Sequence, residues 1–156
     1  MATCHLLRKD LTQGLAPVAL PTGVHPVAFE HGLLEPIHGL LELGYQQGGG
    51  EVPALQDWLT LTTRDAEFDP ALCLLLADEH GLVAVAQGWR SAFIKDLVVH
   101  PRARNRGIGL ALLQHCFEVY RQRGEPSVDL KVLDSNLNAR RLYERAGMLW
   151  IARYTL

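Results

Sequence analysis

A turn rich in arginine and glycine follows an apolar stretch in the second half of the chain. Arg102, Arg104 and Arg106 alternate with other residues, and Gly107 and Gly109 open an amphipathic segment. Backbone N–H groups in the first turn of a helix have no partner within the helix, and the helix dipole favours a negative charge there. Glycine has no side chain to keep a ligand from that backbone, and the arginines would add mobile positive charge. The turn therefore predicts an anion site suited to a pyrophosphate.

Two common phosphate-binding motifs do not fit this turn. A P-loop requires the pattern G-x-x-x-x-G-K-[ST], which the sequence lacks. A dinucleotide-binding fingerprint requires a third glycine three residues after the second, where this chain has Leu112. That fingerprint also follows the first strand of its domain, whereas this turn begins after residue 100. The predicted anion site therefore belongs to another class of protein.

Hydrophobic periodicity predicts the elements that must position the turn. Apolar runs predict strands over residues 27–30, 72–77, 82–86, 93–99, 128–132 and 149–156. Helical spacing predicts helices over residues 33–47, 53–63, 108–123 and 136–146. Residues 1–23 contain three turn signals and predict an irregular arm or a short extra strand, and Gly48, Gly49 and Gly50 predict a flexible loop. This order of elements predicts an α+β fold with a mixed sheet and a βαβ crossover from Phe93 onward.

Together with a second motif, the turn resembles the GCN5-related N-acetyltransferase (GNAT) family. The family's acetyl-CoA signature, R/Q-x-x-G-x-G/A, is matched by Arg104, Gly107 and Gly109 after a strand that ends in V-x-P. Residues 136–148 match N-x-x-A-x-x-L-Y-E-x-x-G-F, with Met148 in place of the phenylalanine, an exchange between apolar side chains. The resemblance implies a mixed, mostly antiparallel sheet of about six or seven strands flanked by about four helices.

The resemblance also implies how the chain is divided. Residues 1–156 would form one GNAT-like domain, in which residues 24–92 face the acceptor and residues 93–156 bind acetyl-CoA, the cosubstrate, without a metal. The backbone of the strand would pair with the pantetheine arm, and an N–H in it would face the thioester oxygen. The implied acetyl-CoA-binding residues are Leu97, Val98, Val99, Arg104, Asn105, Arg106, Gly107, Ile108, Gly109 and Asn136.

The implied reaction is direct attack of a neutral amine on the thioester. Tyr143, the tyrosine of the second motif, would be the general acid that protonates the leaving thiolate. The amine must first lose a proton, and Asp96, Glu30 and His100 are the candidate bases. Asp96 stands next to Lys95, so the two could equally form an ion pair at the surface.

The net charge of −2 is the sum of two unlike halves. Residues 1–93 carry 4 Lys and Arg against 11 Asp and Glu, a net −7, and residues 94–156 carry 11 against 6, a net +5. The basic half coincides with the implied acetyl-CoA side. The acidic side chains between residues 33 and 63 are Glu35, Glu42, Glu51 and Asp57. They predict an approach that favours a small cationic amine as the acceptor.

Three classes of function remain open. The chain could be an N-acetyltransferase for a small amine or for a peptide or protein amine. It could also be a regulatory module that senses acyl-CoA without turnover, or a nucleic-acid contact protein that uses its clustered arginines. The acidic total disfavours a nucleic-acid partner. The presence of Tyr143 favours an enzyme over a sensor, because a binding module needs no acid at that position.

Composition predicts a single globular domain. A chain of 156 residues with 48% hydrophobic residues can bury a core without disulfides or metals. Apolar runs stay well below the ~20 residues of a membrane helix. Cys4, Cys73 and Cys116 lie far apart without a CxxC pair, which suggests neither a zinc site nor a thioredoxin-like site. The apolar surroundings of Cys73 and Cys116 predict buried thiols, and those of Cys116 disfavour a covalent acetyl-cysteine route. Reduced thiols and the lack of an export signal predict a cytoplasmic protein without a membrane partner, and the resemblance is compatible with a homodimer.

Overall fold

A computed structural model describes residues 2–46 and 51–155, so the loop predicted at Gly48, Gly49 and Gly50 lies outside the described residues. The strands in this part of the chain are β1 (Thr3–Asp10), β2 (His25–Val27), β3 (Phe68–Asp78), β4 (Gly81–Trp89), β5 (Phe93–Val99), β6 (Ser127–Leu133) and β7 (Leu149–Thr155). The α-helices are α1 (Leu34–Tyr45), α2 (Leu55–Thr63), α3 (Ile108–Gln122) and α4 (Leu137–Arg145).

The seven strands form one sheet in the order β2-β3-β4-β5-β6-β1-β7. Each neighbouring pair is antiparallel except β5 and β6, which are parallel. The chain passes from β5 through α3 to β6, as the predicted βαβ crossover requires. The α+β class and the mixed, mostly antiparallel sheet are therefore confirmed.

The first strand lies in the interior of the sheet. β1 occupies the place between β6 and β7 and pairs antiparallel with both, so that Leu7 lies opposite Leu130 on one side and Trp150 on the other. Arg8 donates two hydrogen bonds to Asp129 of β6, at 2.7 and 2.9 Å. The sequence left an irregular arm and a short extra strand open for residues 1–23. Residues 3–10 form the extra strand, which is longer than predicted. Arg8 and its partner Asp129 are 121 residues apart in the sequence, so local periodicity does not reveal that β1 pairs with β6.

Helices cover both faces of the sheet. On one face, α3 and α4 pack over a core that includes Phe117 and Ile94. On the other face, α1 and α2 pack around Leu41, Trp58 and Val98. Because Ile94 and Val98 belong to β5 and lie in different clusters, this strand is covered on both sides. The strand that leads into the predicted anion site is therefore held in a fixed position.

A gap opens between β5 and β6. The two strands pair only where Phe93 lies opposite Asp129 and Ile94 lies opposite Leu130. Beyond Ile94, β5 pairs with β4 alone within the described residues. Strand edges that are not paired present backbone N–H and C=O groups that can bind an extended chain as an added strand. The gap is thus the part of the sheet that can accept such a ligand.

Gly44 marks a close approach of α1 to β5. A Cβ at Gly44 would overlap the side chain of Val98, which is buried and β-branched and has little rotamer freedom. We expect Gly44→Ala to lower the free energy of unfolding by about 1–3 kcal/mol, measured by urea denaturation. Gly39→Ala on the same helix is the control, because a Cβ there meets no atom within 4 Å and should stabilise the helix by up to about 1 kcal/mol. Equal stabilisation by both replacements would contradict the close approach.

The described part of the chain has three buried thiols and neither a membrane-spanning helix nor a group of metal-ligating side chains. No helix in residues 2–46 or 51–155 is both long enough and apolar enough to cross a membrane. Cys4, Cys73 and Cys116 are buried free thiols, as the sequence predicted for Cys73 and Cys116. In the same residues, no three His, Cys, Asp or Glu side chains are grouped so that they could hold a metal ion.

Candidate active site

The basic turn folds into a loop that redirects the chain from β5 into α3. Residues Pro101–Ala103 form a 3₁₀ turn, and Arg104 is extended. Asn105 and Gly107 then have positive φ angles of 63° and 78°. Glycine adopts this conformation without steric cost, and asparagine tolerates it better than most residues. The residue types of the turn thus explain its shape.

Among the described residues, no side chain caps the first turn of α3. Gly107 is the N-cap residue, and the first turn contains no acidic residue. The hydrogen bond from the N–H of Ala111 to the carbonyl of Gly107 is an early one of the helical ladder. The N–H groups of Ile108 and Gly109 precede it at the positive end of the helix dipole. This end of α3 is therefore suited to bind an anion such as a pyrophosphate.

The two glycines of the loop meet different requirements. At Gly107 a Cβ would meet no atom within 4 Å, and the positive φ accounts for the glycine. At Gly109 a Cβ would lie 3.2 Å from Leu142 Cδ2 and 3.5 Å from Val99 Cγ2. The small residue at 109 lets α3 begin close to α4 and β5, which is a packing requirement in addition to the predicted ligand access.

The three arginines of the loop differ in their surroundings. Arg102 donates two hydrogen bonds to Asp78, the last residue of β3, at 2.8 and 3.0 Å. Nη1 of Arg106 lies 3.8 Å from the same carboxylate, and Arg104 is exposed. Arg102 therefore fastens the loop to the hairpin and does not supply the mobile charge that the sequence suggested.

Acid should weaken this attachment. The guanidinium of Arg102 holds the pKa of Asp78 well below its usual range. A carboxyl with a lowered folded-state pKa stabilises the fold above its unfolded-state pKa of about 3.9, and the contribution is lost as the pH falls through the folded-state pKa. We expect Asp78→Asn to be less stable than the wild type at pH 7, and the difference to shrink below about pH 4.

Urea unfolding at pH 7 and at pH 3 measures this difference. Glu79→Gln is the matched control, because Glu79 is the neighbouring carboxylate and is largely exposed. We expect the control to follow the wild type at both pH values. A loss of stability in Asp78→Asn that is equally large at pH 3 would contradict the role of the ion pair.

Asp96 enters the interior through a bulge in β5. The register against β4 shifts between Gln87 and Gly88, so that Lys95 is left without a partner in the ladder. The carboxylate of Asp96 accepts hydrogen bonds from the Tyr45 hydroxyl at 2.7 Å and from Lys95 Nζ at 3.1 Å. The side chain of Asp96 is only 10% exposed. The pair of Asp96 and Lys95 is therefore not a plain surface ion pair, since its acidic member is buried and also bonded to a tyrosine.

Tyr143 lies on α4. Its side chain is 7% exposed and belongs to the core that contains Cys116. Burial, with smaller contributions from Cys116 and Asp96, raises the pKa of Tyr143 to about 12. Burial and the charge of Asp96 also raise the pKa of Tyr45, with a small contribution from Tyr143. Both hydroxyls are thus protonated at neutral pH, and the negative charge of Asp96 contributes to the raised pKa of each.

The other candidate bases lie elsewhere. Glu30 is exposed at the start of the 3₁₀ turn His31–Leu33. Nδ1 of His100 accepts a hydrogen bond from the backbone N–H of Arg102 at 3.1 Å, and burial lowers the pKa of His100. His100 therefore shapes the anion-binding loop, and of the three candidates Asp96 is the one that is hydrogen-bonded to Tyr45 and whose charge helps to raise the pKa of Tyr143.

Asn136 and Cys116 also have defined surroundings. Oδ1 of Asn136 accepts the N–H of Ala139 at 3.2 Å and caps α4, the helix that carries Tyr143. Cys116 is 2% exposed, and burial raises the pKa of its thiol to about 12. A thiol with such a pKa is almost entirely protonated at neutral pH, which agrees with the expectation that Cys116 is no nucleophile.

A cavity of about 230 Å³ lies beside Asp96, between α1, α2 and β5. Its apolar lining residues are Leu41, Val52, Pro53 and Trp58, and its polar lining residues are Tyr45, Glu51, Lys95 and Asp96. Sequence reasoning did not select Tyr45 or Trp58 as site residues. Each looks like an ordinary packing residue of a helix, and only the fold reveals that both border a cavity.

The predicted acidic approach is narrower than the sequence suggested. Of the four acidic residues between 33 and 63, only Glu51 lines the cavity. Glu42 instead lies on the next turn of α1 from His38, with Oε1 3.4 Å from its Nδ1. Nε2 of His38 is 2.7 Å from the carbonyl oxygen of Pro53 and so attaches the wall of the cavity to α1.

The chain is similar to known acetyltransferases. The model of the acetyltransferase (GNAT) family matches residues 37–148. Mycothiol acetyltransferases from Beutenbergia cavernae and Clavibacter sepedonicus are 36% identical over 100 residues and 38% identical over 89 residues. These matches cover 59% and 53% of this chain but 34% and 29% of the two proteins.

A solved structure is similar over almost the entire chain. The GCN5-related N-acetyltransferase from Sphaerobacter thermophilus has a TM-score of 0.85 and 31% identity to this chain. The match covers 98% of this chain and 50% of that protein. The chain thus spans half of the length of this structure and about a third of the curated relatives it matches.

Proposed function

The chain belongs to the GNAT acetyltransferase family, and from this membership we propose that it transfers the acetyl group of acetyl-CoA to the primary amine of a small cationic molecule. One observation carries the proposal: β5 connects the uncapped start of α3, the gap toward β6 and the buried carboxylate of Asp96. The start of α3 would bind the pyrophosphate, the gap would accept the extended pantetheine arm, and the carboxylate would face the reacting amine.

Backbone groups would make most of the contacts to acetyl-CoA. The N–H groups of the loop fit the pyrophosphate, and the edge of β5 that faces the gap fits the pantetheine arm. The amide nitrogen of Asn136 could donate to the same arm, because its Oδ1 is occupied as the cap of α4. The proposed binding residues are Leu97, Val98, Val99, Arg104, Asn105, Arg106, Gly107, Ile108, Gly109 and Asn136.

Asp96 and Tyr143 have complementary roles in the proposed reaction. Asp96 accepts a proton from the amine, for which it has capacity because each carboxylate oxygen has two lone pairs and one protein donor. The amine nitrogen forms a bond to the acetyl carbon as the bond from that carbon to sulfur breaks. Tyr143 donates its proton to the sulfur, and a backbone N–H next to Val98 on the edge of β5 that faces the gap, at Leu97 or Val99, stabilises the charge that develops on the thioester oxygen.

Release of free thiol from acetyl-CoA tests the proposal. The protein is incubated with acetyl-CoA and a panel of small amines, and the CoA thiol is detected with a colorimetric thiol reagent while calorimetry measures acetyl-CoA binding. We expect binding, and turnover that depends on the amine. Failure to bind acetyl-CoA would contradict the proposal, and binding without thiol release on any amine would favour the alternative of a sensor.

A further inference from the structure

We infer that Tyr45 is a positioning residue of the proposed reaction, whose hydroxyl holds the carboxylate of Asp96 from the end of α1 in the orientation that accepts the proton of the amine. The inference rests on the proposed function, in which Asp96 is the base. Three observations carry it, namely the close contact of α1 with β5, the two hydrogen-bond donors at Asp96 and the difference in rigidity between these donors.

The end of α1 lies directly against β5. Tyr45 is the last residue of this helix, and Gly44 before it has no side chain. The helix backbone therefore comes so close to Val98 that a Cβ at Gly44 would overlap the side chain of Val98, which is 6% exposed. Asp96 precedes Val98 by two residues in β5, so this contact brings the Tyr45 ring within reach of the Asp96 carboxylate.

Each oxygen of the Asp96 carboxylate has its own donor. The Tyr45 hydroxyl donates to Oδ1 at 2.7 Å, and Lys95 Nζ donates to Oδ2 at 3.1 Å. Two donors at the two oxygens resist rotation of the carboxylate about its bond to Cβ. Each oxygen has a second lone pair, which stays available for the proton of the amine. The carboxylate is thus oriented without losing its capacity as a base.

Tyr45 is the more rigid of the two donors. Its ring packs against the buried cluster of Leu41 and Trp58 and turns about only two side-chain bonds. Lys95 bears its charge on a flexible stem, and its side chain is 38% exposed. Burial and the charge of Asp96 raise the pKa of Tyr45 far above its usual value, so its hydroxyl stays a donor throughout the neutral and mildly alkaline range. The fixed orientation of Asp96 therefore depends on Tyr45.

Tyr45→Phe tests this role. The variant keeps the ring and its packing and removes the donor to Oδ1. We expect kcat/KM for the amine to fall about tenfold, as the loss of a hydrogen bond to a charged group predicts, and the affinity for acetyl-CoA to stay unchanged. Thiol release is measured with acetyl-CoA and propylamine, 1,4-diaminobutane or glucosamine, and the variants are compared on the amine that the wild type acetylates fastest. An unchanged kcat/KM, or a loss of acetyl-CoA binding, would overturn the inference.

Tyr120→Phe is the matched control. Tyr120 is a buried tyrosine whose hydroxyl donates to the carbonyl oxygen of Trp89 at 2.8 Å, and it does not line the cavity beside Asp96. This variant also loses a buried hydrogen bond, so we expect it to be less stable in urea but to keep the kcat/KM of the wild type. A tenfold loss of kcat/KM in Tyr120→Phe as well would reduce the effect at Tyr45 to a general effect of lost stability and would overturn the inference.

A double variant shows whether Tyr45 acts through Asp96. In Asp96→Asn the side chain can no longer take the proton, so its orientation has no further effect on proton transfer. We expect Tyr45→Phe combined with Asp96→Asn to lie within about twofold of Asp96→Asn alone, whereas independent roles would multiply. A further tenfold loss in the double variant would overturn the inference.

The pH profile gives a readout that a role in packing alone would not change. As the pH rises, the solution supplies more neutral amine and the reaction depends less on a base. The deficit of Tyr45→Phe should therefore shrink toward alkaline pH. A deficit of equal size at every pH would assign Tyr45 a role that is independent of proton transfer and would overturn the inference.

The wild type separates failure of this inference from failure of the proposed function. A wild type that acetylates none of the three amines would contradict the proposed function, and the inference would fall with it. A wild type that acetylates one of them, together with a Tyr45→Phe variant of equal kcat/KM, would overturn the inference alone and leave the proposed function in place.

Discussion

Replacement of Tyr143 by phenylalanine is expected to lower kcat for amine acetylation by about a hundredfold, within the range of the loss of a general acid. The variant removes only the hydroxyl, and the ring can still pack in the core with Cys116. In the wild type the hydroxyl is protonated over the whole neutral range because burial raises the pKa of Tyr143 to about 12. The thiolate of CoA would then leave without its proton donor.

Steady-state thiol release at saturating acetyl-CoA and amine measures this effect. Tyr154→Phe is the matched control, because Tyr154 is 44% exposed on β7 and lies outside the cavity. We expect the control to keep wild-type kcat and both variants to bind acetyl-CoA with wild-type affinity. A Tyr143→Phe protein with undiminished kcat would exclude Tyr143 as the acid.

Replacement of Asp96 by asparagine is expected to lower kcat/KM for the amine by about a hundredfold at neutral pH. Asparagine has the same shape, and its oxygen can still accept the hydrogen bond of Tyr45. It cannot take a proton from the amine, and its NH2 group would face the ammonium of Lys95 if the oxygen stays on Tyr45. The variant therefore removes the proton acceptor and the hydrogen bond from Lys95 while it keeps the hydrogen bond from Tyr45.

The pH dependence identifies that role further. As the pH rises, the solution supplies more of the neutral amine, so the deficit of Asp96→Asn should shrink toward alkaline pH. Asp129→Asn, which removes a carboxylate paired with Arg8 on the surface, serves as the control. A deficit that stays constant at all pH values would indicate that Asp96 only binds the acceptor.

The parts of the site that come from contiguous residues could be predicted from the sequence. The bounds of β5 were predicted without error, and those of α3 were predicted to within one residue, because an apolar run and a helical repeat are local signals. The two motifs also lie within single turns and helices, so Gly107 and Tyr143 could be placed on the correct elements. The homodimer and the cytoplasmic location stay predictions.

The parts that depend on distant contacts could not be predicted. The hydrogen bond from Tyr45 to Asp96 joins two residues 51 positions apart, and no periodicity records it. A count of acidic residues gives the net charge of a segment but not where each side chain lies. It could not reveal that Glu42 lies beside His38, or that Glu51 is the one of the four that lines the cavity. The burial of Asp96 likewise depends on a bulge that only the pairing with β4 defines.

The place of β1 between β6 and β7 has a consequence for the order of folding. β6 forms one wall of the gap, yet it pairs with β5 at two positions and with β1 along its whole length. β1 in turn pairs with β7, and this pairing places Thr3 opposite Thr155. Pairing between residues so far apart closes very long loops, which slows folding. The hairpin of β3 and β4 can therefore form early, and the capacity to bind acetyl-CoA should arise as a late step of refolding.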